Sequence, residues 1–141
     1  MAAAAAVVAA CTFLWLGMVL AISFLEAPLK FRAPGVTLPI GLGIGRLVFR
    51  ALNAVESVWA AAIVVAVAVG EWSGAAIPIA AGVAVGALAL QLAAVRPRLT
   101  RRSDAVLAGY TGPRSHAHLV YVGVEVIKVA ALVCLGVLTL S

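Results

Sequence analysis

Charge is scarce in this chain. Only 11% of its 141 residues are charged and 65% are hydrophobic, whereas an average soluble domain is ~25% charged and ~45–50% apolar. This deficit excludes a soluble globular protein, a disordered chain and a nucleic-acid-binding domain of the usual polar kind. At ~20 apolar residues per membrane helix, the length allows four spans and little else. The sequence therefore predicts one all-α integral membrane domain over residues 1–141, folded as a four-helix bundle.

Cysteine and histidine are also scarce, with two of each. Cys11 and Cys134 lie in apolar stretches without a CxxC pattern, which excludes a disulfide-rich scaffold. We expect two membrane thiols, with a Cys11–Cys134 disulfide as the alternative because both should lie toward the same membrane face. No Ser/His/Asp arrangement, phosphate loop or dinucleotide fingerprint is present, so the sequence identifies no cofactor.

What the chain does have is long apolar runs. They predict membrane spans at about 3–29, 51–69, 75–95 and 116–140. The first run lacks a basic leader and exceeds the ~7–15-residue core of a signal peptide, so we expect a retained helix. Ahead of the second span, Arg46 and Arg50 share one helical face, which predicts an amphipathic lead-in to that helix.

The third span carries two signals of its own. Arg96 and Pro97 follow it directly, and we expect them to end the helix abruptly because proline removes a backbone donor. Gly82 and Gly86 form a GxxxG pair, which permits close helix approach. Packing within the chain is the simpler expectation, and a homo-oligomer or a membrane partner is the alternative.

Basic residues divide unevenly between the predicted loops. Loops 30–50 and 96–115 hold nine of the ten bases, whereas the segment between the second and third spans holds none. By the positive-inside rule, both basic loops face the cytoplasm and both termini lie outside, in the inner (plasma) membrane of the cell. We expect the bases to contact anionic membrane lipids rather than nucleic acid.

Polar side chains inside the spans are the candidate site. A charge at the centre of a membrane helix costs ~2.5–3.5 kcal/mol on insertion scales, so such residues usually have a function or a partner. Lys128 lies roughly ten residues, or ~15 Å, inside the fourth span. Its nearest expected partner is Glu125, and Glu56 or Glu26 would be the second. The candidates for substrate or proton binding are Glu26, Arg46, Arg50, Asn53, Glu56, His118, Tyr121, Glu125 and Lys128.

Helical phase groups these candidates. At ~100° per residue, the four on the last helix form one narrow stripe, and those on the second helix form a broad one. Two polar stripes on apolar helices should face each other rather than lipid. The sequence therefore predicts a cytoplasm-facing polar cavity among the first, second and fourth helices.

Several functions fit such a cavity. The first is a transporter or binder of a small molecule, ion or proton, because intramembrane carboxylates and histidines are the usual relay groups. The second is a membrane enzyme acting on a quinone or isoprenoid, with His118 and Glu125 as acid and base. The third is a structural subunit whose ion pairs only fix the helices. A metal centre using His118 with Glu26, Glu56 or Glu125 is also open, but no HxxxH or ExxH spacing supports it, and no metal site is predicted.

Two stretches carry a family resemblance. The runs WLGMVLAISFLEAPLKFRAPG (Trp15 to Gly35) and GRLVFRALNAVE (Gly45 to Glu56) resemble the bacterial four-helix membrane domains related to animal transmembrane protein 205. The matching positions are Gly17, Phe24, Pro28, Phe31, Arg32, Gly45, Phe49 and, in the last helix, His116 or His118. The resemblance implies the same four-helix layout. It implies little chemistry, because the bacterial family has no defined biochemical function and its animal relative is linked only to drug resistance; Glu125 and Lys128 are outside its pattern.

A second resemblance concerns Glu26. Small multidrug transporters also have four short helices and one glutamate in the first. Glu26, however, lies at the exit of its helix, and Lys30, Arg46 and Arg50 add positive charge nearby. Those bases would make a poor cation site, so we prefer the first resemblance.

Overall fold

The computed structural model describes residues 2–109 and 116–141, with side chains for 2–109 and 118–141. It contains four long helices, α1 Ala3–Arg32, α2 Leu38–Val69, α3 Ala76–Leu107 and α4 His116–Leu140, and no strand among the described residues. Each helix is long and apolar enough to cross a membrane. The chain is therefore a multi-pass membrane protein with the predicted all-α architecture. Arg114 and the side chain of His116 lie outside the described residues.

The helices pack as an antiparallel bundle. α4 packs against both α3 and α1, and α1 also packs against α2. One end of the bundle, which we call the basic end, contains residues 30–50 and 96–109. The other, the terminal end, contains both chain termini and the turn 70–75. The apolar core fills the half of the bundle nearer the terminal end, with Val8, Cys11, Ile63, Ala84, Leu88, Leu132 and Leu135 among its members.

Apolar side chains also cover the outside of the bundle, as a lipid-facing surface requires. Large residues such as Leu47 and Val69 are 70% and 75% exposed. Gly82 and Gly86 lie on this surface, and a β-carbon built on either would meet nothing within 4 Å. The expectation that this pair packs within the chain is therefore wrong, because α3 turns Ala81, Ala84 and Leu88 inward instead.

Both cysteines are free. Cys11 is buried in α1 and Cys134 is exposed on α4. They do not form the alternative disulfide, because Cys134 faces outward from the bundle while Cys11 faces its core.

Two of the helices contain π segments, and both lie just before a proline. In α1 the π segment is Leu20–Glu26, ahead of Pro28, and in α3 it is Gln91–Val95, ahead of Pro97. After each segment a backbone N–H reaches back five residues, from Ala27 to Ile22 and from Arg96 to Gln91. Proline cannot donate the regular bond and its ring crowds the preceding turn, and the wider π turn accommodates this.

The chain consequently stays helical past Arg96. The sequence indicated an abrupt end there, but α3 continues to Leu107. Pro97 lies at the start of the α-helical part that follows the π segment, which is where a proline is tolerated. Which parts of these helices lie within the membrane stays a prediction.

Glycines at the start of α2 bring α1 and α2 together at the basic end. Gly35 has a φ of 82°, which only glycine adopts freely, and it turns the chain between the two helices. A β-carbon on Gly41 would lie 2.7 Å from Cζ of Phe31, and one on Gly45 would lie 3.1 Å from Nζ of Lys30. The missing side chains thus leave a groove on α2 in which the last turn of α1 lies.

Candidate functional site

The side chain of Lys128 lies at the centre of a buried polar cluster. Its Nζ is 2.5 Å from Oε2 of Glu56 on α2 and 2.6 Å from Oε1 of Glu125 on its own helix. It also donates a hydrogen bond of 2.9 Å to Oε1 of Gln91 on α3. The side chains of Lys128 and Glu56 are 0% exposed and that of Glu125 is 2% exposed. Lys128 thus joins three helices through one ammonium group.

Two donors from α1 complete the cluster. The indole Nε1 of Trp15 donates to Oε2 of Glu56 at 2.7 Å, and the hydroxyl of Ser23 donates to Oε2 of Glu125 at 3.1 Å. Ser23 lies within the π segment of α1, and Gln91 is the first residue of the π segment of α3. Such segments are frequent at functional sites. Here each one contributes a polar side chain to the cluster.

The cluster holds two carboxyl groups for one ammonium group. Among the described residues, Glu56, Glu125 and Lys128 are the only charged side chains that are buried. If all three were ionised, the cluster would carry one uncompensated negative charge. Removing an unpaired charge from water is far more costly than removing a neutral acid, so the charge count favours a proton on one of the two carboxylates.

The cluster also has unused hydrogen-bonding capacity. Four buried atoms make no hydrogen bond to any described residue: Oε1 of Glu56, Nε2 of Gln91, Oδ1 of Asn53 and the hydroxyl of Tyr121. Buried polar atoms in proteins are nearly always paired. The hydroxyl of Tyr121 interacts electrostatically with both Glu125 and Glu56. The cluster can therefore accept further hydrogen-bonding partners.

Polar and aromatic side chains connect the cluster to the basic end. Tyr121, one turn of α4 from Glu125, places its ring edge-to-face with Phe49 at a centroid distance of 6.0 Å. Over the ring of Phe49 lie Nζ of Lys30, at 5.8 Å, and the guanidinium carbon of Arg96, at 5.4 Å. A continuous series of side chains thus leads from the buried carboxylates to the basic surface.

The opposite side of the cluster is apolar. Toward the terminal end every helix places small or aliphatic side chains next to it, namely Val8 and Cys11 on α1, Ala60 and Ile63 on α2, Ala84 and Leu88 on α3, and Ala131, Leu132 and Leu135 on α4. Thr12 is the buried polar side chain nearest to Trp15 on that side along α1. The surroundings of the cluster are therefore polar toward one end of the bundle and apolar toward the other.

The structure brings together five of the nine side chains proposed from the sequence. Asn53, Glu56, Tyr121, Glu125 and Lys128 are all buried in this half of the bundle. They do not line an open cavity, because the charged members touch one another. α3 also joins through Gln91, which the predicted three-helix cavity left out.

The other four candidates lie outside the cluster. Glu26 is 3.8 Å from Lys30 and its side chain is 36% exposed. Arg46 forms an ion pair of 2.7 Å with Asp104, and Arg50 is exposed. Arg46 and Arg50 were expected to face the bundle. The stripe on α2 is too broad for that, because Glu56 is turned by about 120° from Arg50.

His118 lies about two helical turns from Glu125 along α4. It is partly exposed near the start of that helix. This separation does not favour the predicted acid–base pair of an enzyme. Among the described residues no three His, Cys, Asp or Glu side chains converge as metal ligands would, so the geometry also does not favour the metal alternative built on His118.

Sequence reasoning missed three members of the cluster. Gln91 is the one strongly polar side chain in the run 75–95, and that isolation was the signal. Trp15 lies twelve residues into α1, whereas membrane tryptophans usually lie at the interface. Ser23 gave no distinctive signal, because a lone serine in a membrane helix usually bonds its own backbone.

Two grooves on the bundle have a different character. One, of about 600 Å³, lies between α1 and α2 at the terminal end and is lined by alanines and valines such as Val7 and Val65. The other, of about 370 Å³, lies between α3 and α4 and is lined by residues such as Ile79 and Ile127. Both are open apolar surfaces, which suit lipid acyl chains, and neither includes a residue of the cluster.

Comparison of the chain with models of known protein families, with curated protein sequences and with solved structures finds no match. The resemblance to the domains related to transmembrane protein 205 therefore stays a prediction. The buried Glu56–Lys128–Glu125 cluster is the feature from which a function must be argued.

Proposed function

We propose that this protein is a proton-coupled transporter of a small molecule and that the Glu56–Lys128–Glu125 cluster is its proton-binding site. The observation that carries the proposal is the charge count: two buried carboxyl groups contact one buried ammonium group. A proton that completes the charge balance of a buried site can be released only when the surroundings of that site change. Proton-coupled carriers depend on such a link between charge and conformation.

The two carboxyl groups share this proton as a coupled pair. Oε2 of Glu56 accepts hydrogen bonds from Trp15 and Lys128, and Oε2 of Glu125 accepts one from Ser23. When the site loses its proton, both groups become anions beside a single cation. The closed bundle then stabilises the cluster less, because water is excluded from it, and an open arrangement at the basic end becomes more favourable.

The two sides of the cluster differ, and this difference supports opening toward the basic end. Tyr121 and Phe49 lie between it and the basic end, while aliphatic side chains close the terminal end. We place the basic end in the cytoplasm and the protein in the inner membrane. The positive-inside rule supports this orientation, since nine of the ten bases belong to 30–50 and 96–115.

The proton can be detected without knowing the transported molecule. Infrared difference spectra of the reconstituted protein, recorded between acidic and alkaline buffer, should show the carbonyl stretch of a protonated carboxylic acid. Glu125→Gln should remove that band and leave a neutral Glu56–Lys128 pair, so the bundle should still fold. Glu26→Gln is the matched control, because Glu26 also belongs to a membrane helix but is partly exposed, and it should keep the band.

Flux measurements supply the second readout. Proteoliposomes containing the wild-type protein should show pH-dependent flux that Glu56→Gln or Glu125→Gln abolishes and that Glu71→Gln, in the exposed turn 70–75, retains. A folded Glu125→Gln variant with an unchanged carboxylic-acid band would contradict the proposal. Loss of folding in both glutamine variants, with no acid band in the wild-type protein, would instead assign the cluster a purely structural role.

A further inference from the structure

Arg96 is an unusual member of the basic end. The side chains of Arg32, Arg50, Arg98 and Arg101 are exposed, whereas that of Arg96 is half-buried. Arg46 has Asp104 as its carboxylate partner, but no carboxylate of the described residues lies within 4 Å of Arg96. Burial acts on it most, followed by its interaction with Tyr121 and then by repulsion from Arg46. Removing a guanidinium group from water without a carboxylate partner costs free energy. A bound anion at Arg96 would offset this cost.

Other donors surround the same place. Phe49 is the common neighbour, because the side chains of Arg96, Lys30 and Tyr121 all lie against its ring. The ammonium of Lys30 lies close to α2 because Gly45 has no side chain to block it. Its carboxylate partner, Glu26, is a distant 3.8 Å away. The hydroxyl of Tyr121 is buried and unpaired among the described residues, and it interacts electrostatically with Arg96.

The field of this end favours an anion as well. Its described lysine, arginine, aspartate and glutamate side chains are eight bases and two acids, namely Lys30, Arg32, Arg46, Arg50, Arg96, Arg98, Arg101 and Arg102 against Glu26 and Asp104; His118 near the start of α4 is ionisable as well. Such an excess attracts anions over a distance of several ångströms. A planar guanidinium, an ammonium and a hydroxyl together match the oxygen atoms of an oxyanion.

We infer that Arg96, Lys30 and Tyr121 around Phe49 form a binding site for an oxyanion, such as a phosphate, sulfate or carboxylate group. This inference rests on the proposed function and names its substrate class: the molecule coupled to the proton is an anion. A lipid phosphate headgroup and a free oxyanion share this chemistry, and the experiment below separates them.

Tyr121 links the two sites. Its hydroxyl interacts electrostatically with Glu125 and Glu56 and also with Arg96. When the carboxyl pair is protonated, the hydroxyl is free to donate to an anion at Arg96. When the pair is fully ionised, its negative charge repels the anion and competes for the same hydroxyl. The charged groups that act on the anion are then Arg96, Arg46, Lys30 with Glu26, and Lys128 with Glu125 and Glu56. His118, near the start of α4, is a further titratable group of this end. Proton binding therefore strengthens anion binding, and the converse follows by linkage.

Radiolabelled sulfate is a suitable probe, because it remains a dianion at every pH used. Its binding is measured by equilibrium dialysis against the full chain in nanodiscs of neutral phosphatidylcholine. We expect saturable binding that Arg96→Gln weakens by about tenfold or more, as for the loss of a charged hydrogen bond. Arg98→Gln is the matched control on the same helix and should change the affinity by less than about twofold. Circular dichroism and thermal unfolding confirm that both variants fold.

The pH series tests the link to the proton site. Sulfate affinity of the wild-type protein should rise in acidic buffer, and Glu125→Gln should remove this dependence while Arg96-dependent binding persists. Tyr121→Phe should weaken both the affinity and its pH dependence. If Tyr121→Phe weakens sulfate binding but leaves its pH dependence unchanged, Tyr121 belongs to the anion site alone and its role in linking the two sites is overturned.

Nanodiscs containing phosphatidylglycerol identify the source of the anion. If a lipid headgroup occupies the site, these discs abolish sulfate binding, and native mass spectrometry shows phosphatidylglycerol retained by the wild type but not by Arg96→Gln. If sulfate still binds in them, the site takes a free oxyanion. Equal effects of Arg96→Gln and Arg98→Gln, or neither sulfate binding nor lipid retention, would overturn the inference. The infrared carboxylic-acid band tests the proton-binding site separately. The proposed function and the anion site can therefore be confirmed or contradicted independently of each other.

Discussion

The ammonium group of Lys128 contacts side chains from three helices, and the side chain is fully buried. The contacts with Glu56, Glu125 and Gln91 range from 2.5 to 2.9 Å. A fully buried ammonium group has no water to replace these partners. The charge of Lys128 is thus compensated only as long as at least one of the two carboxylates is ionised. At the scale of single residues, one ammonium group therefore provides the positive charge for two buried carboxyl groups.

Removal of Lys128 should therefore be costly. Lys128→Met leaves two buried carboxyl groups without a cation, and we expect a loss of about 3–5 kcal/mol in the free energy of unfolding. The loss should be smaller in acidic buffer, where both groups are protonated and neutral. Thermal or denaturant unfolding in detergent micelles at several pH values measures it.

A second substitution separates charge from packing. In the double variant Lys128→Met with Glu56→Gln, only one carboxyl group remains, and it can stay protonated. Its free energy of unfolding should exceed the value expected from adding the two single effects, by more than about 1 kcal/mol. Strict additivity would show that the three side chains do not act as one charge unit.

How far the sequence predicts this cluster depends on which helices its contacts join. Glu125 and Lys128 are three residues apart on one helix, so helical geometry alone predicts their contact. The contact of Lys128 with Gln91 joins two helices whose relative rotation is not encoded in any local pattern. Trp15 was overlooked for the same reason, because an indole in an apolar helix looks like core until its Nε1 is found 2.7 Å from a carboxylate.

At the scale of helices, the positions of α1 to α4 were predictable and their internal geometry was not. The length of an apolar run is almost sufficient to identify a membrane helix. Pro97 was expected to end the third helix, and Pro28 lay inside the predicted first span without any expected change of geometry, but each follows a π segment and the helix continues. The expectation that proline ends a helix rests on the backbone hydrogen bond that proline cannot make. In the folded bundle, the helical residues before and after each proline pack against other helices, and the chain stays helical.

The contact between α1 and α2 at the basic end makes a sharper prediction. Gly41→Ala and Gly43→Ala both gain up to about 1 kcal/mol from helix propensity. A β-carbon on Gly41 would collide with the ring of Phe31, whereas one on Gly43 meets nothing within 4 Å. We expect Gly43→Ala to raise the free energy of unfolding and Gly41→Ala to lose most or all of that gain. Thermal unfolding of the two variants measures the difference.

The ring of Phe31 provides the control for that comparison. In a Phe31→Ala background the two alanine variants should become equally stable, because the obstacle at Gly41 is gone. A difference that persists in this background would show that Gly41 is restricted by something other than Phe31.

At the scale of the whole molecule, charge and polarity follow one direction along the bundle. Bases collect at one end, the buried carboxylates and Lys128 lie at mid-height, and aliphatic side chains fill the other end. Under the proposed function, the proton and the anion bind from the polar side of the cluster. The membrane potential would act on the transported proton, because a proton that crosses the membrane moves one elementary charge through that potential.

The orientation of this gradient in the membrane can be tested directly. In a background in which Cys11 and Cys134 are replaced by alanine, single cysteines are introduced by Ala33→Cys at the basic end and by Ser73→Cys in the turn 70–75; both positions are exposed. A membrane-impermeant maleimide is then added to intact cells and, separately, to inverted membrane vesicles. We expect Ser73→Cys to react in intact cells and Ala33→Cys to react only in inverted vesicles, because the basic loops resist translocation. The reverse pattern would place the polar side of the cluster outside the cell, and the proton and anion would then be loaded from that side.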